Sequence, residues 1–330
     1  MATAIKENTP RPPPSAPAQP SLPSPFKSAA MSLYPLNHSE LSAEIERLEW
    51  NHHNVFVPMS GNTVVAPEVD AYLQGLVTAR ADDPAFTGRP PVSVADIGTG
   101  TGVWLVDLAS SLPPTARLDG FDFNTSKFRP AASRPPNVQL LEANATEPFA
   151  AELQDKYDLV HVRLLVLGLK SSDWQPLAAN LRTLLRPGGY LVWEEIDVEH
   201  FAGFPEDSEL ADAMRQMLRF YKARSHQGGS ATYPIGLDTL LTSENFEDAR
   251  QDVFKASDFW DHPTLFGTTM TSLHTIAASY MQGMVHTGGF EDVQTKEDAV
   301  RKSAAVKAAL DAKTAKADFW FWRTTARKPL

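Results

Sequence analysis

Val94-Ala95-Asp96-Ile97-Gly98-Thr99-Gly100-Thr101-Gly102-Val103-Trp104 reads as a strand that breaks into three alternating glycines and restarts as a helix. Glycine has no Cβ, so the backbone turns sharply there and a ligand can lie against bare peptide at the helix N-terminus. A dinucleotide loop spaces its glycines G-x-G-x-x-G and receives a pyrophosphate. This one reads Asp-x-Gly-x-Gly-x-Gly, and a carboxylate at the strand end repels a diphosphate and attracts a cation. Asp96, Gly98, Thr99, Gly100 and Gly102 are therefore candidate binding residues, and the spacing argues against a dehydrogenase.

The chain has 330 residues, 42% of them hydrophobic, enough to bury a full core in one α/β domain with additions. Thirty basic and 40 acidic residues give a net charge of −10, with no Lys/Arg run to lay a stripe along nucleic acid or an anionic membrane. A small-molecule substrate fits that balance better. The absence of cysteine excludes disulfides, thiolate chemistry and Cys-ligated zinc. No apolar run reaches 18 residues and no signal-peptide pattern opens the sequence, so a soluble, cytoplasmic protein is expected, or a nuclear one for a regulator.

Residues 1–30 are rich in Pro, Ser and Ala with little to bury, and read as a disordered tail and candidate ligand for a protein partner. Residues 31–82 read as a helical lid: Leu41, Ile45, Leu48 and Val55 recur at helical spacing over 39–56, and Pro67 suits the first turn of a second helix. From residue 83 the chain alternates strand and helix, with strands at 92–97, 117–122, 138–142, 157–162 and 190–196, which argues for a parallel sheet covered on both faces. Ligands then lie at the carboxyl ends of the strands. Helical patterns over about 198–313 read as substrate-binding additions, interrupted by a strand near 250–256, and Phe319-Trp320-Phe321-Trp322 reads as a closing strand. Met214, Met217, Phe220, Tyr221, Met281 and Met284 at helical spacing suit either core or an apolar pocket wall.

Asp122 ends the second strand, 24 residues after Gly98, where an acid accepts two adjacent hydroxyls in a bidentate pair, as its counterpart does toward ribose in dinucleotide folds. Phe123 beside it offers an aromatic face. Asn137-Val138-Gln139-Leu140-Leu141-Glu142-Ala143-Asn144-Ala145 ends a third strand and Tyr157-Asp158-Leu159-Val160-His161-Val162-Arg163 a fourth, with His161 and Arg163 on the same side. Arg186-Pro187-Gly188-Gly189 turns into a fifth strand whose end, Trp193-Glu194-Glu195-Ile196-Asp197, carries three acids toward the substrate edge.

These segments resemble, in order, the motifs of the class I S-adenosylmethionine-dependent methyltransferases. Tyr34-Pro35-Leu36, Arg47-Leu48-Glu49-Trp50-Asn51-His52 and Ala66-Pro67 further resemble the Tyr-x-Leu, Arg-Leu-x-x-Gln-His and Ala-Pro elements that precede the first motif in fungal secondary-metabolism methyltransferases, with Asn51 where Gln is usual. The similarity covers roughly residues 34–200 and the terminal Trp322-Arg323 to Pro329 stretch. It implies a Rossmann-like α/β fold with a mostly parallel seven-stranded sheet, a helical lid before it and a helical insertion before the last strand. It also implies S-adenosylmethionine (SAM) as cofactor, S-adenosylhomocysteine as product, and contacts from Tyr34, the glycine turn, Asp122, Phe123, Asn144, Ala145 and Arg163. Asn144 stands where an Asp usually meets the adenine amine, and its carbonyl retains the acceptor.

The family's members methylate O, N or S atoms, and the family includes a nuclear regulator. Two alternatives to methyl transfer to a small metabolite stay open: a regulatory, partner-binding protein that keeps the fold, and an enzyme using SAM for a rearrangement. His52, His53, His161 and Glu195 are the candidate general bases, because imidazole titrates near neutrality and a desolvated carboxylate can be tuned upward. No metal is expected, since adjacent His52 and His53 point apart on a helix.

Overall fold

The computed structural model describes residues 41–226 and 236–330. The Pro-rich segment, Tyr34 and the start of the expected lid lie outside the described residues. The first helix, α1 (Leu41–Asn51), runs straight into a π-helical turn, His52–Phe56, and α2 (Pro67–Ala81) follows with proline in its first turn. The alternating part comprises β1 (Ser93–Ile97), α3 (Val103–Leu108), β2 (Arg117–Asp122), β3 (Val138–Glu142), β4 (Tyr157–Arg163), α4 (Trp174–Leu184) and β5 (Leu185–Phe204). Then come α5 (Glu209–His226), α6 (Leu237–Ser243), β6 (Glu247–Lys255), α7 (Leu265–His286), α8 (Lys296–Asp311) and β7 (Lys316–Arg327).

The seven strands form one sheet in the order β3-β2-β1-β4-β5-β7-β6. Strands β1 to β5 pair in parallel, and β7 lies antiparallel between β5 and β6. All five residues of β1 are buried, as a strand covered by helices on both faces requires. One face packs Val94, Leu118, Leu159 and Val192 against α2 and α3; the other packs Val160, Leu191, Trp193 and Phe321 against α4, α5 and α7. The strand order reverses between β1 and β4, and it is at the carboxyl ends of strands at such a switch point that open α/β sheets receive their ligands.

Register decides what meets there. Asp96 of β1 lies opposite His161 of β4, and two residues further Arg163 of β4, Glu194 of β5 and Arg323 of β7 line up across three strands. Strands β5 and β7 run longer than expected, because beyond Asp197 they pair as a two-stranded arm, Ala202 to Phe204 against Lys316 to Asp318, after a bulge. Polar Glu199 and His200 interrupt the apolar run that marks a strand in sequence. Among the described residues, the 198–313 stretch supplies four α-helices and the edge strand β6. Its Met214, Met217, Phe220, Tyr221, Met281 and Met284 are all buried within the main core. Among the described residues no helix is long and apolar enough to cross a membrane.

Candidate functional site

The glycine turn is built as its spacing requires. Gly98, Gly100 and Gly102 have φ of 70°, 57° and 81°, in the left-handed region. At Gly98 space is also short: a Cβ would stand 2.5 Å from Cδ2 of Leu165 in the loop after β4. The N–H groups of Gly98 and Thr99 donate to the Phe121 carbonyl at 2.8 and 3.0 Å, stapling the turn to β2. The Gly100 N–H donates to Oδ2 of Asp122 at 2.9 Å and that of Asn124 to Oδ1 at 2.8 Å. Burial pushes the Asp122 carboxyl up, and these two N–H groups and Lys127 pull it back. Each oxygen keeps lone-pair capacity for a diol. Phe123 next to it is 38% exposed, an aromatic face open to a ring.

Asp96 is placed differently from the expectation that it faces a cation. It is 3% exposed; Oδ2 accepts from Thr99 Oγ1 at 2.6 Å and Oδ1 faces Nδ1 of His161 at 2.7 Å. Nε2 of His161 lies 3.3 Å from Glu194, and the Trp104 indole stacks flat on the imidazole, centroids 3.7 Å apart. Glu194 accepts from Arg323 Nε at 2.6 Å, and Arg163 lies 3.8 Å from its other oxygen. Burial alone would raise the Glu194 carboxyl, but Arg323, His161 and Arg163 outweigh it and hold it well below the usual range.

Arg163 also donates to Nδ1 of His52 at 3.0 Å, while Nε2 of His52 faces Asp107 at 3.0 Å. A guanidinium has no lone pair, so Nδ1 accepts and Nε2 carries the hydrogen. Burial pushes the His52 imidazole down to about 4, with Arg163 adding to the fall and Asp107 opposing it. His52 is thus a neutral link whose lone pair is spent on Arg163. His161 sits between two carboxylates. Glu195 accepts from Leu165 N–H at 2.9 Å, Trp193 Nε1 at 3.0 Å and Val166 N–H at 3.2 Å; burial pushes it up to about 8, against the pull of those donors. His53 is exposed, its ring edge-on to that of His52 with centroids 4.7 Å apart.

Two expectations need correction. The π-helical turn brings the adjacent histidines together rather than apart: ligand atoms of His52, His53 and Asp107 all lie within 4.8 Å of one another. With Nδ1 engaged by Arg163 and Nε2 protonated toward Asp107, His52 has no lone pair ready for an ion, so the cluster is not organised as a metal site. At Asn144 the side-chain carbonyl accepts from both the N–H and Oγ1 of Thr146, at 3.2 and 2.9 Å, in a local turn. Both its lone pairs are taken there. Ala145, half-buried, offers its carbonyl to Asn180 at 3.0 Å.

Sequence reasoning missed Trp104, Asp107, Glu194 and Arg323 as members of this network. The available signal was Arg323 itself, a charge on the same face of an otherwise apolar strand as Phe321.

Comparison with known proteins agrees with this geometry. Residues 94–189 match the methyltransferase domain family. A methyltransferase of Penicillium sp, grgD, is 44% identical over 135 residues, covering 39% of this chain and 46% of that one. The N-methyltransferase tcpN of Claviceps purpurea is 34% identical over 160 residues, covering 48% and 51%. The secondary metabolism regulator laeA of Fusarium oxysporum is 25% identical over 242 residues, covering 69% and 75%. The chain spans about half the length of the first two relatives. Residues 94–189 are thus a methyltransferase domain, and the chain is related to methyltransferases of fungal secondary metabolism.

Proposed function

We propose that this chain methylates an O, N or S nucleophile of a small secondary metabolite. The observation that carries the reading is the unit formed by Gly100 and Asp122, a bare-backbone turn fixed to a carboxylate whose oxygens keep lone pairs for a diol, beside an exposed aromatic face. When bound, SAM supplies a methyl already activated on a sulfonium, so the protein's task is in-line positioning and exclusion of water. Asp122 would hold the ribose hydroxyls and Phe123 the adenine face. Glu195 fixes the backbone of Leu165 and Val166 beside the glycine turn, and the π-helical turn, packed against α7, closes the edge above β4.

Nitrogen is the acceptor we favour. The Claviceps relative is named an N-methyltransferase, and the β5 end of this chain is acidic. There the buried Tyr221 hydroxyl, which has no hydrogen-bond partner among the described residues, faces the carboxylates of Glu199 and Asp197. Such surroundings suit an amine.

The test is incubation with methyl-labelled SAM and a panel of fungal phenols, amines and thiols. Labelled amine with stoichiometric S-adenosylhomocysteine is the expected result. Cofactor binding with no labelled product, alongside a stable complex with another protein, would favour the regulatory reading instead.

A further inference from the structure

Helix α1 lies like a bar across the carboxyl edge of the sheet. Near its start Glu44 reaches Lys127 after β2, at 3.5 Å; Leu48 Cδ1 lies 3.4 Å from where a Cβ of Gly100 would be; His52, just past its end, meets Arg163 at the end of β4. Asn51 stands about one turn on from Leu48, which touches the glycine turn, and next to His52, which touches the end of β4. It is 3% exposed, and its side-chain carbonyl oxygen is buried with no hydrogen-bond partner among the described residues. A buried acceptor left without a donor is uncommon and points to a group that arrives from outside.

The acids of the network that begins at the neighbouring His52 are committed elsewhere. Asp96 is spent on Thr99 and His161, Glu194 on Arg323 and His161, and Asp107 on His52. A cationic amine bound at this edge would bring N–H donors and nothing to accept, which is the complement of Asn51.

We propose that the Asn51 side-chain carbonyl accepts a hydrogen bond from the ammonium of SAM, in the place that Asp96 was expected to fill. The proposal rests on the reading of this chain as a SAM-binding protein. A neutral amide in that position holds the ammonium by a directed hydrogen bond and leaves no buried charge when the cofactor departs.

Titration calorimetry on the full chain tests it with three ligands: SAM, S-adenosylhomocysteine, and 5′-methylthioadenosine, which keeps the adenosine and thioether but lacks the amino-acid part. Asn51→Ala is expected to weaken the first two by about 10- to 100-fold, the range for a lost hydrogen bond to a charged group, and to leave methylthioadenosine unchanged. Asn51→Asp, which keeps the acceptor and adds charge, is expected to bind SAM at least as tightly as the parent. That arm keeps the test decisive should the alanine variant not fold. Unchanged SAM affinity in Asn51→Ala, equal loss for all three ligands, or weakened SAM binding in Asn51→Asp overturns the proposal. Failure of the parent chain to bind any of the three removes the underlying cofactor reading as well.

Discussion

Asp122 receives the Gly100 N–H at 2.9 Å, so the acid that ends β2 and the turn that follows β1 are one rigid unit. A ligand held by one feels the geometry of the other.

Replacing Asp122 should therefore act mainly on cofactor affinity. With Asp122 holding the ribose hydroxyls as proposed, Asp122→Ala would remove a charge-assisted pair worth about 1.5–3 kcal/mol, and it frees the Gly100 N–H as well. Ribose is equally far from the methyl in the ground and transition states, so kcat should change less than the SAM Kd. Calorimetry and steady-state kinetics on the same variant separate the two, and an unaltered Kd contradicts the assignment.

Gly98→Ala should destabilise the fold. The left-handed backbone costs an alanine roughly 1–2 kcal/mol, and the Leu165 contact at 2.5 Å adds to it. Pairing it with Leu165→Ala should relieve the contact and leave the backbone cost. Urea unfolding of both variants measures the difference, and full recovery in the pair would show that backbone conformation is not at issue.

His52 gives the protein an acid-sensitive seam. In the fold its imidazole takes a proton only near pH 4, whereas the unfolded chain takes one near 6.5, so the unfolded state binds more protons between these values. Stability should rise as pH goes from 4 to 6.5, by about 3 kcal/mol from this residue, and be complete above that window. His52→Asn, whose carbonyl can still accept from Arg163, should flatten the slope. Urea midpoints at intervals across the window provide the check.

Arg323→Met should be more damaging than its place near the C-terminus suggests. It leaves the buried Glu194 with Arg163 at 3.8 Å and His161 at 3.3 Å, and breaking one partner of a buried ion pair costs about 3–5 kcal/mol. The double variant with Glu194→Gln should recover part of the loss. Strictly additive losses would mean that the two residues act independently.

What could be read in advance was whatever a short window of sequence contains. The Asp96 to Gly102 turn, the strand ends at Asp122 and Arg163, and the alternation that gives a covered parallel sheet are local patterns, and the structure has them. The partnership of Glu194 and Arg323 is not local: 129 residues separate them, and only the antiparallel register of β5 and β7 sets them side by side. His52 and His53 were misread because a 3.6-residue period was assumed where the backbone adopts a π turn. For Met214, Met217, Met281 and Met284 spacing gave no decision, since a core and a pocket wall share the same helical stripe.

The linked side chains Asp107, His52, Arg163, Glu194, His161 and Asp96 come from α3, the π turn, β4, β5 and β1, and each satisfies its neighbour. Such a set constrains descent. A replacement that removes a partner strands the next member, so divergence at these positions should proceed by compensated pairs, whereas exposed positions outside the set can change one residue at a time. The buried network and the surface around it would then evolve at different tempos within one chain, the first by rare coupled steps and the second by ordinary drift.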